Sequence, residues 1–127
     1  MMNIEHGEVI ITTHNNIIIV KLIGGFNEFG AKKYTNGVKE LVANFNGENF
    51  SILINNLEME GGTPEAYDEL EQYNKWLNTQ KLTAKAMVIS SIAAAHIIDH
   101  LSPSRKLQRC KSFDNEADAM HWLENFS

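Results

Sequence analysis

The chain has 127 residues, 43% of them hydrophobic and 21% charged, with a net charge of −5 and a pI near 5.5. That length suits one domain burying about two-thirds of its unfolded surface, and the mixture has neither the charge bias of a disordered tail nor an apolar run long enough for a membrane span. The acidic balance opposes a nucleic-acid backbone, because Lys32-Lys33 and Arg105-Lys106 are too short to form a basic stripe. A single cysteine, Cys110, excludes an intrachain disulfide or a cysteine metal cluster. The opening residues MMNIEHGEV lack the basic and apolar regions of a signal peptide, so a cytoplasmic protein is expected.

In chain order, Val9-Ile10-Ile11 and Ile17-Ile18-Ile19-Val20 are β-branched runs separated by His14-Asn15-Asn16. Asparagine tolerates the left-handed conformation of a hairpin turn, so these two strands are expected to pair antiparallel. After Gly24-Gly25, the apolar residues Tyr34, Val38, Leu41, Val42 and Phe45 recur at steps of three and four, which puts them on one helical face. Gly30 and Gly37 weaken that helix. Ser51-Ile52-Leu53-Ile54 is a short unbroken run, as a central strand covered on both faces of a parallel sheet requires.

Thr63 then reads as an N-cap and Pro64 as the first residue of the next helix, whose buried stripe is Ala66, Leu70, Tyr73 and Leu77. The run Ala86-Met87-Val88-Ile89 completes a βαβ unit with parallel pairing and a right-handed crossover. Ala93 to Leu101 reads as a third helix stopped before Pro103, and Leu107 to Phe113 as a last strand whose Arg109 and Lys111 protect a sheet edge. Asp114 is placed as the cap of a final helix with Ala119, Met120, Trp122, Leu123 and Phe126 on its core face.

The expected fold is therefore α/β, a single domain over residues 1–127 with a mostly parallel sheet of about five strands and about four helices, in the order β-β-α-β-α-β-α-β-α. Ligands of such open sheets sit beyond the carboxyl ends of the strands. Three loops are expected to meet there: Gly24 to Glu28, Asn55 to Thr63, and Ser90-Ser91-Ile92. That edge is the candidate functional face.

Four segments together resemble a known superfamily: the strand Ile52 to Asn55, the loop ending in Gly62-Thr63-Pro64-Glu65, the second βαβ strand, and Phe113-Asp114-Asn115-Glu116-Ala117 through Trp122-Leu123. They look like the STAS-like superfamily, and more narrowly its bacterial SpoIIAA-like branch, named after the sporulation anti-sigma-factor antagonist. The likeness spans nearly the whole chain as an order of elements, with GGTPEA and EADAMHWL its motif-like parts. It implies a non-enzymatic module. The best-known members bind an anti-sigma kinase and are switched by phosphorylation of a serine at the N-terminus of the helix after the third strand; structural cousins of the CRAL-TRIO group hold lipids. The usual Asp-Ser-Ser-Gly of the switch is absent, and Gly61-Gly62-Thr63-Pro64 occupies its place, which leaves Thr63 as the nearest hydroxyl. A phosphate there would meet the positive end of the helix dipole, yet Glu58, Glu60, Glu65, Asp68 and Glu69 would repel it. The plainer role of Thr63 is a cap.

Other constellations have plain readings too. Gly24-Gly25 and Gly61-Gly62 match no phosphate-binding fingerprint and read as turn glycines. His96, Asp99 and His100 set two imidazoles at i and i+4, but no third ligand is evident, so no metal is expected and His100 is better placed meeting the last helix carbonyls. Cys110 reads as a buried structural thiol, because its neighbours Arg109 and Lys111 point to the opposite face of a strand. Ser90-Ser91 has no nucleophile elbow around it.

Two functions remain. The first is a non-catalytic regulatory module, with no cofactor, that recognises a protein partner through the second helix and its preceding loop, using Glu58, Gly61, Gly62, Thr63, Pro64, Glu65 and an exposed Trp76. The rival is a carrier of a small apolar or lipid-like ligand between the second and third helices, lined by Tyr67, Leu70, Ala94, Ile97 and Ile98. An edge strand or the aromatic helix face could also support a homodimer.

Overall fold

The structure is a computed structural model that describes residues 5–91 and 102–126. Its first two strands, β1 (Glu8–His14) and β2 (Ile17–Phe26), form the expected antiparallel hairpin. Asn15 turns it with a left-handed φ of 53°. Helix α1 (Glu28–Asn44) leads to β3 (Phe50–Gly62), α2 (Pro64–Leu77) to β4 (Leu82–Val88), and a 3-10 turn (Pro103–Leu107) precedes β5 (Cys110–Phe113) and α3 (Glu116–Glu124). The strands lie in the order β1-β2-β3-β4-β5. The sheet is mixed: β1 runs antiparallel to β2, and the pairings of β2 with β3, β3 with β4 and β4 with β5 are parallel.

Strand β3 is central, and alternation sends its side chains to two separate cores. Phe50, Ile52 and Ile54 join Ile18, Val20 and Leu22 of β2 beneath α1 and α2, where Tyr34, Val38, Tyr73 and Leu77 close the layer. Leu53 joins Ile17, Ala84, Ala86 and Val88 on the other side, under Ala119 and Leu123 of α3. Burying both faces is why the run shows no polar alternation. Of the expected helix faces, Tyr34 and Val38 are fully buried, while Leu41, Val42, Phe45 and Leu70 pack at the rim.

Several expectations are corrected. Gly24-Gly25 and the segment from Asn55 to Gly62 are not loops: Ile23 to Phe26 pair with Glu58 to Gly62, so both glycine pairs lie within strands. Register shifts fall between Lys21 and Ile23 and between Gly24 and Gly25, and the second is flanked by Gly24 (φ 84°) and Gly61 (φ 107°), whose left-handed backbone glycine adopts without strain. The alternation Leu57-Glu58-Met59-Glu60 is the strand signal behind this extension. The last strand starts at Cys110, because Pro103 to Leu107 coils into the 3-10 turn and leaves Leu107 exposed. Asn115 rather than Asp114 caps α3, its side chain accepting from the Asp118 amide at 2.9 Å. Three α-helices are present among the described residues; the helix expected over Ala93 to Leu101 lies outside them.

Gly30 and Gly37, read as weak points of α1, mark where that helix meets the segment around β1. Asn27 caps α1 by accepting from the Gly30 amide at 3.0 Å, and the same oxygen accepts from the His6 amide at 3.1 Å. A Cβ on Gly30 would run into the His6 carbonyl oxygen, and one on Gly37 would stand 2.6 Å from Ile11 Cδ1. Alanine normally favours a helix interior by about 1 kcal/mol over glycine, but the backbone clash at Gly30 wins. Gly30→Ala is expected to destabilise the fold by about 1–3 kcal/mol in urea unfolding, the opposite sign to helix propensity.

Candidate functional site

Because β2 to β5 are parallel, their carboxyl ends share one edge, and all three helices start there. Each start is capped by a side chain from the linking segment: Asn27 for α1, Thr63 for α2 and Asn115 for α3. β3 is paired with β4 only as far as Asn55 opposite Val88, so the outer parts of β2 and β3 continue as a two-stranded ribbon past β4. Asn55 braces the point of divergence. Its side-chain oxygen accepts from the Leu57 amide at 3.0 Å and its side-chain nitrogen donates to Glu116 of α3 at 3.2 Å.

Thr63 sits at the end of this ribbon. Its amide donates to the Phe26 carbonyl at 2.9 Å, and its hydroxyl accepts from the Ala66 amide at 3.1 Å, which makes it the cap of α2. The residue is exposed, as are Gly62, Pro64 and Glu65. Glu58 is held by Lys21 at 2.6 Å, and that hydrogen bond, followed by the Glu58 charge, raises the Lys21 pKa. Glu69 accepts from the Thr35 hydroxyl at 3.1 Å. The acidic crowd around Thr63 is thus partly engaged already, with Glu60, Glu65 and Asp68 left on the solvent side.

The structure brings Glu58, Gly61, Gly62, Thr63, Pro64 and Glu65 together on this edge and sets Trp76 apart. Thirteen helical residues at 1.5 Å each put Trp76 about 20 Å from Thr63, near the opposite end of α2. The indole is half-buried, stacked on Tyr73 with centroids 6.2 Å apart, and Lys39 lies over its ring at 5.5 Å. It lines a shallow open groove with Lys39, Phe50 and Lys81.

Tyr67 and Leu70 do line a cavity beneath α2, together with Leu22, Ile54 and Met59. Its volume is about 40 Å³, room for roughly three water molecules and not for a lipid chain. Ala94, Ile97 and Ile98, the remainder of the expected pocket, lie outside the described residues, as do His96, Asp99 and His100. Among the described residues no group of three His, Cys, Asp or Glu side chains is placed to hold a metal ion. No helix among them is long and apolar enough to cross a membrane.

One wall of the cavity is polar in a way the residue pattern did not suggest. Lys85 of β4 is 2% exposed and Asn74 of α2 is 4% exposed, and the lysine donates to Asn74 Oδ1 at 3.0 Å. Asn74 passes the interaction on through its amide to Ser102 Oγ at 2.7 Å, and Ser102 donates to Glu71 at 3.3 Å. Glu71 also accepts from the Ser104 hydroxyl at 2.6 Å and the Ser104 amide at 3.0 Å. Desolvation acts to raise the Glu71 pKa, but these serine bonds and Lys75 leave it lowered. Burial pushes the Lys85 ammonium down to about 8, with Cys110 opposing and Arg105 adding to the shift. Arg105 is buried as well, its Nη1 donating to Met87 Sδ at 2.6 Å and Cys110 Sγ at 2.9 Å. So the cation beside Cys110 is Arg105, not Arg109 or Lys111, and the cysteine is half-buried rather than buried.

A lysine flanked by Ala84 and Ala86, and an asparagine one position past Tyr73 on the buried face of α2, were the available signals for this network. The expected strand began one residue after Lys85, which cut the lysine from view.

No family model and no curated protein matches the chain. Solved structures do. An uncharacterised protein of the DUF3478 family with a SpoIIAA-like fold, from Shewanella loihica PV-4, superposes with a TM-score of 0.70 at 16% identity, covering 97% of this chain and 98% of that one. An anti-sigma factor antagonist from Mycobacterium paratuberculosis gives 0.65 at 14% identity over 94% and 95% of the two chains. The anti-sigma factor antagonist SpoIIAA in its unphosphorylated form gives 0.64 at 8% identity over 94% and 98%. The chain has a STAS-like, SpoIIAA-like fold, as the resemblance in its sequence implied.

The buried lysine has a measurable signature. Its folded pKa, about 8, lies below the 10.5 of the unfolded chain, so between those values the unfolded state binds more protons and stability rises with pH. Tyr34 and Tyr73 act in the opposite direction above about pH 10, because burial raises their pKa and keeps them protonated in the fold. Urea unfolding is expected to show stability climbing by about 2 kcal/mol from pH 8 to 10 and then falling. Lys85→Met is expected to flatten the climb, and to fold, because Gln108 still donates to Asn74 Oδ1 at 3.1 Å.

Proposed function

We propose that the chain is a non-catalytic regulatory module of the cytoplasm that binds a protein partner on the edge around Thr63. One observation carries this reading. Three capped helix starts and the projecting β2–β3 ribbon converge on a single exposed surface, on a fold shared with two anti-sigma factor antagonists. A surface built from strand ends and capped helix N-termini keeps some free backbone amides at each helix start, and it meets a partner by shape and charge. Glu60, Glu65 and Asp68 favour a partner with a basic patch.

Thr63 is the switch position in this proposal. The residue is exposed and its hydroxyl lies at the positive end of α2, where an added phosphate would gain free amides but lose the present cap bond. SpoIIAA, solved in its unphosphorylated form, is the precedent for a modification on this fold. The carrier reading is reduced by the cavity volume to a ligand of very few atoms.

The test separates the cap from the charge. Aspartate caps helices as well as threonine does, so Thr63→Asp is expected to leave stability within about 0.5 kcal/mol while abolishing capture of a specific partner from extract. Thr63→Ala is expected to cost about 1 kcal/mol and keep that capture. Equal capture by Thr63→Asp and the parent chain, scored by quantitative mass spectrometry, would count against Thr63 as the switch.

A further inference from the structure

Among the described residues that line the cavity beneath α2, several hydrogen-bond donors lack acceptors. An ammonium has three N–H donors, and Lys85 gives one to Asn74 Oδ1, the only partner it has among the described residues apart from the Tyr73 ring face, 5.8 Å from the nitrogen. Asn74 Oδ1 is already shared with Gln108, and Ser102 Oγ already takes the Asn74 amide. Asn56 Nδ2 is buried at the same cavity with no hydrogen-bond partner among the described residues. The Tyr34 hydroxyl donates to the Tyr73 hydroxyl at 3.4 Å, which leaves one phenolic hydrogen of the pair pointing at no acceptor among the described residues. The nearest carboxylate of the network, Glu71, is two residues removed through Asn74 and Ser102 and does not line the cavity.

Buried donors without acceptors are costly, and a buried cation more so, unless something negative meets them. The apolar walls of Leu22, Ile54, Met59 and Leu70 would strengthen that meeting by excluding water.

We propose that this cavity is a binding site for one small carboxylate or planar oxoanion of about three or four heavy atoms, held by the Lys85 ammonium, the Asn56 amide and the tyrosine hydroxyl pair. The volume sets the size: formate, acetate and nitrate fit it, whereas the tail of a fatty acid does not. At neutral pH most of the lysine remains charged despite its burial. The site is separate from the Thr63 edge, since Thr63 does not line the cavity.

Isothermal titration of the full chain at pH 7 and constant ionic strength, with sodium formate, acetate and nitrate, tests the assignment. One-to-one saturable binding is expected, weakened at least about tenfold by Lys85→Met and about threefold or more by Asn56→Leu, while Lys81→Met, at an exposed lysine outside the cavity, leaves it unchanged. Octanoate is expected to bind at least about tenfold more weakly than acetate. Circular dichroism and urea unfolding establish that each variant is folded. If Lys85→Met fails to fold, the Asn56→Leu result decides. Absence of saturable binding to the parent chain, unchanged affinity in a folded Lys85→Met or Asn56→Leu, or octanoate binding as tightly as acetate would each overturn the proposal.

Discussion

The structure depends on a central strand that is dry on both faces. Phe50 to Asn55 of β3 are buried throughout, with Phe50, Ile52 and Ile54 turned to α1 and α2 and Leu53 turned to α3. A strand so placed has its backbone groups out of water and must pair on both sides, which β2 and β4 supply in parallel. Parallel pairing in turn requires crossover connections, and the helix starts among the described residues share one edge of the sheet. The candidate docking surface is therefore a consequence of how the core is built, not a separate addition to it.

On that edge the local chemistry of glycine sets the shape. β2 and β3 continue as a pair beyond the reach of β4, and the register shift between Gly24 and Gly25 falls beside Gly24 and Gly61, whose positive φ few other residues adopt. The ribbon ends where the Phe26 carbonyl accepts from the Thr63 amide, so the cap of α2 is fixed by a backbone bond to a neighbouring strand. Thr63, an exposed residue, is in this way held on a backbone support that joins two elements.

Beneath α2 the core breaks its own apolar rule. Lys85, Asn74, Ser102 and Glu71 form a chain of hydrogen bonds linking β4, α2 and the approach to the 3-10 turn, with donors aligned from the ammonium toward the carboxylate. Such a network resists rearrangement because each member loses its partner if the elements slip. It also places a positive charge beside a small void, the feature that separates this core from a simple hydrocarbon layer.

Much of the architecture was legible in the residues alone. The hairpin at Asn15, the α1 stripe through Tyr34 and Val38, the Thr63-Pro64 start of α2 and the two-sided burial of Ile52 to Ile54 follow from periodicity and backbone preference, which act over a few residues. What pairing decides was not. Glycine pairs look like turns until a neighbouring strand is found to claim them, which is why Glu58 to Gly62 was expected as a loop and is strand. Lys85 and Arg105 carry ordinary surface residues' charge and are buried where β4, α2, β5 and the 3-10 turn meet. Local pattern determined the elements of this protein and the order in which they come. Tertiary contact decided the length of β3 and the burial of the lysine, because each depends on segments distant in the chain meeting in space.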